Sequence, residues 1–166
     1  MRSTLLVTAA VLSVGYASLS FAAGGGGGGG SDSVSSAFPA KPVDPNFARA
    51  KQLIEARDYR NALPLLQQVV AKDPKNADAY NLLGYATRKS GDANGALQYY
   101  TQALAIDPKH LGANEYIGEA YLMLGRVSDA EQHLAKLDTL CVFGCLEQRT
   151  LKQAIADFKA GKKPTN

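Results

Sequence analysis

Small residues recur along this 166-residue chain at a fixed interval of 34 positions. The series are Ala50, Gly84 and Gly118, then Ala62, Ala96 and Ala130, and the pairs Asp73-Pro74 and Asp107-Pro108 keep the same interval. Coincident offsets at one period indicate a single supersecondary unit that is repeated, with each copy stacked on its neighbours. The period therefore predicts an array of similar units, in which each unit contacts mainly the next one.

Apolar residues inside each unit have the spacing of a helix. In the second unit they are Leu82, Leu83 and Ala86 in one segment, then Ala96, Leu97, Tyr100, Ala103 and Leu104 in the next. Asp58 and Asp92 precede the second segment of their units, where a helix N-cap is expected, and Asp44-Pro45 opens the first unit. Each unit is therefore predicted to be a pair of helices, whose small residues let the partner helix approach closely.

These residues and their 34-residue period resemble the tetratricopeptide repeat (TPR) family, over residues 43–144. The resemblance implies an all-α fold, a solenoid of three helix-turn-helix repeats at about residues 43–76, 77–110 and 111–144. Residues 145–161 follow with Leu151, Ala154, Ile155 and Phe158 on one face. We expect this segment to be a capping helix that covers the end of the solenoid and completes a domain of residues 44–161. A helix lying on a membrane surface is the alternative interpretation.

The first 43 residues are not expected to belong to the domain. Residues 1–22 have the order of a signal peptide, with Arg2, an apolar run over residues 5–19 and a small-residue cleavage site at Ala22. An uncleaved membrane anchor is the alternative. Residues 23–43 contain seven consecutive glycines and then Ser and Pro, and are predicted to be a disordered tether. The protein is thus expected to be exported, into a bacterial periplasm, and to have no membrane association after cleavage.

In register with Asp107-Pro108, the third repeat has Cys141-Val142, and Cys145 follows four residues after Cys141. Gly144, between the two cysteines, is expected to take a left-handed turn that other residues resist. Because paired thiols outside the cytosol normally oxidise, we predict a structural disulfide between the last repeat and the capping helix. A Cu(I) site is the main alternative, but it would need a third ligand, and neither His110 nor His133 has the spacing of a known metal motif. Thiol exchange is less favoured, because the spacing is not Cys-x2-Cys. No metal site and no cofactor are predicted.

The composition argues against several other classes of function. The formal net charge is only +3, and acidic and basic residues are interspersed, which is not typical of a nucleic-acid-binding protein. No glycine-rich phosphate loop lies between a strand and a helix. No Ser/His/Asp arrangement can be singled out either. The chain is therefore predicted not to be an enzyme.

The resemblance implies a concave surface, formed mainly by the first helix of each repeat, that holds an extended peptide or a partner helix. Family geometry places nine residues on or near it: Phe47, Lys51, Asn81, Tyr85, Arg88, Lys89, Glu115, Glu119 and Met123. Basic residues lie toward the first two repeats and acidic residues toward the third. We expect a partner segment of opposite polarity, with its acidic end near Lys51 and Arg88. The alternative is that these residues form an ordinary solvated helix face.

The resemblance also bears on the kind of partner. Phe47 stands where carboxylate-clamp repeats have lysine, so capture of a chaperone C-terminus is not expected. The predicted function is a non-enzymatic protein-interaction module, an adaptor or scaffold of the cell envelope, with an unidentified protein or peptide partner. Two alternatives stay open: a copper-handling accessory protein that uses Cys141 and Cys145, and a structural subunit of an envelope complex that docks by its convex side.

Overall fold

The computed structural model describes residues 43–164, and in that range seven α-helices follow one another with no β-strand. They are α1 (Pro45–Glu55), α2 (Tyr59–Lys72), α3 (Ala77–Lys89), α4 (Ala93–Ile106), α5 (Leu111–Met123), α6 (Val127–Leu140) and α7 (Leu146–Lys159). Helices α1 to α6 form three packed pairs, and α7 packs against both α5 and α6. The predicted all-α solenoid of three helix pairs with a C-terminal capping helix is confirmed. The predicted signal peptide lies outside the described residues, as does the tether except for Val43.

The helix ends are where the local sequence signals place them. The Asp44 carboxylate accepts hydrogen bonds from the amides of Asn46 and Phe47, and Pro45 occupies the first turn. Asp58 and Asp92 cap the second helix of their repeats in the same way. Each cap satisfies backbone N–H groups that have no partner within the helix, and typically contributes about 1 kcal/mol.

Two glycines allow large side chains to cross the first helices at close range. A Cβ atom on Gly84 would lie 2.5 Å from the ring of Tyr100, which comes from α4. A Cβ atom on Gly118 would lie 2.6 Å from Leu151 of α7. Tyr100 and Leu151 are both fully buried. The small-residue series therefore sets the distance between α3 and α4 and between α5 and the capping helix.

The apolar face of the capping helix is the predicted one. Leu151 and Ile155 are buried with Leu122 and Leu137, and Ala154 and Phe158 pack against the edge of that cluster. None of the helices within residues 43–164 is long and apolar enough to cross a bilayer.

A disulfide closes the corner between α6 and α7. Cys141 ends α6 and Cys145 precedes α7, and the two Cα atoms are 5.6 Å apart. Gly144 has a φ of +80°, a left-handed conformation that most other residues resist, and its N–H donates to the carbonyl of Cys141 at 2.8 Å. The turn exposes apolar side chains, including that of Phe143, which is fully exposed.

The close contact at Gly84 predicts that Gly84→Ala destabilises the protein, although alanine is the better helix former by about 1 kcal/mol. The new methyl group would overlap the Tyr100 ring, and such overpacking costs about 1–3 kcal/mol. Urea unfolding should therefore show a net loss of roughly 1 kcal/mol. Gly112→Ala is the control, because a Cβ there lies 3.4 Å from its nearest neighbour. Stabilisation of both variants alike would contradict this account of the packing.

Replacing both cysteines by serine should lower the free energy of unfolding by about 2 kcal/mol, the chain-entropy value for so short a loop. Equilibrium unfolding in urea, with and without a reductant, measures the effect. The reductant should destabilise the wild type and leave the double variant unchanged. A reductant effect of equal size in both proteins would show that the bond does not contribute.

Candidate functional site

The first helices of the three repeats form the inner face of the solenoid. Helix α3 contacts both α1 and α5, whereas the second helices α2, α4 and α6 do not contact one another. The stack is therefore curved, with α1, α3 and α5 on its concave side. All nine groove residues predicted from the sequence lie on these three helices. Their positions repeat along the stack, so that Phe47, Asn81 and Glu115 form one row and Lys51, Tyr85 and Glu119 the next.

Arg88 lies at the centre of this face and is bonded within the protein. Its guanidinium is 2.7 Å from the carboxylate of Glu119, and its side chain is only 1% exposed. The Arg88 Nε–H donates to the hydroxyl of Tyr100 at 3.4 Å. The guanidinium carbon also lies 5.6 Å from the ring of Tyr85 and 5.7 Å from that of Tyr116. The ion pair joins α3 to α5, and the rings enclose its cation.

The expectation that a partner's acidic end lies beside Arg88 is therefore corrected. A buried guanidinium that already binds a carboxylate presents no free positive charge to a ligand. Glu119 is likewise occupied by Arg88. Sequence reasoning missed this pairing because the two residues are 31 positions apart and belong to different repeats. Lys51, by contrast, is exposed and stays a candidate contact.

Three tyrosines form an aromatic wall beside the ion pair. The ring centroids of Tyr59 and Tyr85 are 6.0 Å apart, and those of Tyr85 and Tyr116 are 5.0 Å apart. The Lys89 ammonium lies 5.6 Å from the Tyr85 ring. An open cleft of about 310 Å³ is lined by Ile54, Glu55, Arg57, Tyr59, Leu82, Tyr85 and Tyr116. It combines apolar and aromatic side chains from all three repeats with the charged side chains of Glu55 and Arg57.

Tyr59 and Tyr116 were not among the residues predicted from the sequence. Tyr59 belongs to α2, whereas the sequence prediction assigned the concave face mainly to the first helix of each repeat. Its contact with Tyr85 on α3 therefore could not be inferred from the helix in which it lies. Tyr116 is 34 residues beyond Leu82, which also lines the cleft, and that shared repeat position was the available signal.

The acidic part of the face contains polar groups without partners. Glu115 is 8% exposed and has no hydrogen bond or ion pair within residues 43–164. Its pKa is raised to about 8, first by burial and then by the charges of Glu119 and Glu147. Asn81, at the same position one repeat earlier, is 6% exposed, and its side-chain oxygen has no hydrogen-bond donor there. A largely buried carboxyl group without a partner is costly to ionise, which marks Glu115 as the place where a ligand would be stabilising.

Two further predicted groove residues lie at the margins. The half-buried Phe47 lines an open cleft on α1 with Val43, Val69 and Asn76. Met123 ends α5, and its sulfur is 4.0 Å from the Arg88 guanidinium.

The structure gives both histidines roles within the fold. His110 Nδ1 accepts from the amide of Ala113 and caps α5, while Nε2 lies 3.1 Å from Asp78. The buried His133 bonds to Asn114 at 2.9 Å, and burial lowers its pKa to about 4. The cysteine sulfurs are bonded to each other, and no group of three metal-binding side chains occurs in the described part of the chain. The copper alternative thus has no preassembled ligand set there.

Two models of the tetratricopeptide repeat match the chain, one over residues 47–110 and the other over residues 88–139. Together they span residues 47–139, which is more than half of the 166 residues. The chain therefore belongs to the tetratricopeptide repeat family. No curated protein sequence matches it.

Several solved structures are similar to this chain. MamA 41-end from Desulfovibrio magneticus RS-1 is 26% identical with a TM-score of 0.55, over 57% of this chain and 54% of that one. This chain thus spans about half of that MamA chain. PcrH, solved with the chaperone binding region of PopD, is 21% identical with a TM-score of 0.60, over 69% and 86% of the two chains. The Yersinia enterocolitica type III secretion translocator chaperone SycD is 18% identical with a TM-score of 0.61, over 70% and 87%. PcrH and SycD show a shared fold.

The buried ion pair predicts that Arg88→Met destabilises the protein by about 3 kcal/mol, because it leaves the Glu119 carboxylate without its cation. Lys51→Met is the matched control, since Lys51 is exposed on the same face and its loss should change stability by no more than about 0.5 kcal/mol. Urea unfolding at neutral pH measures both. If Arg88→Met lowered the free energy of unfolding no more than Lys51→Met does, Arg88 would be a free groove residue.

Proposed function

We propose that this tetratricopeptide repeat protein is a non-enzymatic adaptor that holds a segment of a partner protein against its concave face. The observation that carries the proposal is an open tyrosine-lined cleft on the concave face, together with Glu115, a buried side chain that has no partner within residues 43–164. A partner segment can supply both kinds of contact. Its N–H groups can bond to the Glu115 carboxyl, and its apolar side chains can cover the rings.

The aromatic wall is suited to anchoring such a segment. Tyrosines are enriched among the residues that dominate protein interfaces, because they bury a large area with little loss of side-chain freedom. Tyr85 packs against both other rings, which restricts the conformations of its side chain before a ligand arrives. A preordered surface reduces the entropy lost on binding. The PcrH structure supports a protein segment as the class of ligand, because that protein of the same fold was solved with a region of PopD.

We further propose that the adaptor acts in the cell envelope after export. The apolar N-terminal segment with a small-residue cleavage site supports this location, and a disulfide is typical of an oxidising compartment. Periplasmic fractionation with intact-mass measurement tests the location. A cytoplasmic protein that retains residues 1–22 would reject it.

A second candidate function, as a structural subunit of an envelope complex, is favoured by one observation. The turn between α6 and α7 exposes Val142, Phe143 and Leu146 together. Apolar side chains held outward by a disulfide offer a rigid contact for a neighbouring subunit. This surface is at the C-terminal end of the solenoid rather than on its convex side.

Site-directed photo-cross-linking in cells distinguishes the two functions. A photoreactive residue at Lys51 or Glu55, both exposed on α1, should capture one partner at yields well above those from Gln102 on α4. Tyr85→Ala should reduce that yield about tenfold, which corresponds to the loss of roughly 1.4 kcal/mol of binding energy. Capture from position 143 with none from α1 would reject the groove and favour the structural subunit.

A further inference from the structure

We propose that the groove receives a cationic side chain, a lysine or arginine of the partner, at the carboxyl group of Glu115. This inference rests on the adaptor function proposed above and adds the chemistry that the acidic part of the groove selects. It concerns a single contact, and it can fail while the adaptor function stands.

The distribution of charge on the concave face is the first argument. Helix α5 presents Glu115 and Glu119 one helical turn apart, and α7 adds Glu147. Of these three carboxyl groups, only Glu119 has an ion pair within residues 43–164, and its partner Arg88 is buried in that contact. Glu115 and Glu147 are thus near each other without a cation of their own. A positive group entering from the groove would be attracted to both.

The Glu115 carboxyl group also lacks a hydrogen-bond partner. Its residue is 8% exposed and forms no hydrogen bond or ion pair within residues 43–164. Once ionised, the carboxylate has two acceptor oxygens, and a ligand that satisfies both must bring several N–H donors. A guanidinium has five donors in a fixed plane and an ammonium has three, and neither has an acceptor that would compete. A neutral apolar side chain would leave both oxygens buried and unbonded, which is costly.

Arg88 already shows that this face accepts such a group. Its guanidinium lies between the rings of Tyr85 and Tyr116 and binds a carboxylate on α5. The neighbouring site at Glu115 repeats the carboxylate one helical turn earlier, and no arginine within residues 43–164 pairs with it. A partner's cation there would form a second ion pair of the same kind as that between Arg88 and Glu119.

Binding should be coupled to the release of a proton. The charged or titratable groups that act on Glu115 are Arg88 from α3, Glu119 and Tyr116 from α5, and Glu147 from α7. Because burial and the two neighbouring glutamates raise the pKa of Glu115 to about 8, the free protein holds this carboxyl protonated near pH 6. A bound cation favours the ionised form, so it must displace the proton. Affinity for a cationic ligand should therefore rise with pH, by up to about tenfold per pH unit, until the pH exceeds the pKa of the free protein.

A pair of tripeptide probes tests the proposal directly. The probes are acetyl-Tyr-Arg-Tyr-amide and the same peptide with citrulline, which keeps the shape of arginine but has no charge. Carbon-detected NMR of protein labelled at glutamate carboxyl groups follows Glu115. At pH 6.5 and millimolar concentrations, the arginine peptide should move the Glu115 resonance to its ionised position, and the citrulline peptide should not. Equal responses to the two peptides, or no response to either, would overturn the cation site.

Two variants complete the test. Glu115→Gln should weaken binding of the arginine peptide about tenfold or more and abolish its pH dependence, with helix content unchanged by circular dichroism. Glu131→Gln is the matched control, since Glu131 pairs with Lys159 on the exposed side of α6 and α7. An unaltered pH dependence in Glu115→Gln would also contradict the proposal.

The cation site and the adaptor function can fail separately. If position 51 still captures a partner but Glu115 does not respond to the arginine peptide, the cation site is wrong and the adaptor function stands. If the arginine peptide ionises Glu115 while no partner is captured from α1, the cation site stands and the adaptor function is wrong.

Discussion

The close approach of helices across small residues is the constraint on which the rest of this structure depends. Gly84 allows the ring of Tyr100 to lie directly over α3, and there the Tyr100 hydroxyl accepts a hydrogen bond from Arg88 at 3.4 Å. Arg88 in turn holds Glu119, which joins α3 to α5. A larger side chain at position 84 would move the tyrosine and, with it, the guanidinium. The packing inside one repeat thus places the ion pair that links two repeats.

The same ion pair separates the concave face into a part whose polar groups are bonded within the protein and a part whose polar groups can still bind a ligand. Arg88 and Glu119 satisfy each other beneath the tyrosine rings, so the centre of the face is rigid and electrically balanced. Within residues 43–164, Glu115 has no such partner. The face thus retains a largely buried carboxyl group without a cation, where a partner adds the most stability. A charge-balanced centre beside an unpaired carboxyl group favours binding of one preferred segment over nonspecific binding.

Much of the fold could be predicted because its signals are local or strictly periodic. The aspartate caps act within three residues, the small residues recur every 34, and Cys141 and Cys145 are close in sequence. The contacts within the groove were harder to predict from the sequence. The family pattern assigns residues to a face but does not indicate which of them bond to each other. Whether Arg88 points to a ligand or to Glu119 depends on the angle between successive repeats, which no short segment encodes. The turn at Gly144 was predicted, whereas the full exposure of Phe143 follows only from the three-dimensional position of α7.

The central claim is that the first helices, and not the second helices or the C-terminal turn, form the recognition surface. Amide hydrogen exchange of the exported protein, measured with and without its natural partner, tests this most directly. The account predicts slower exchange on the bound protein at α1, α3 and α5, with the largest protection near Tyr85 and Glu115. Protection confined to α4, α6 or the turn at residues 142–146 would contradict it.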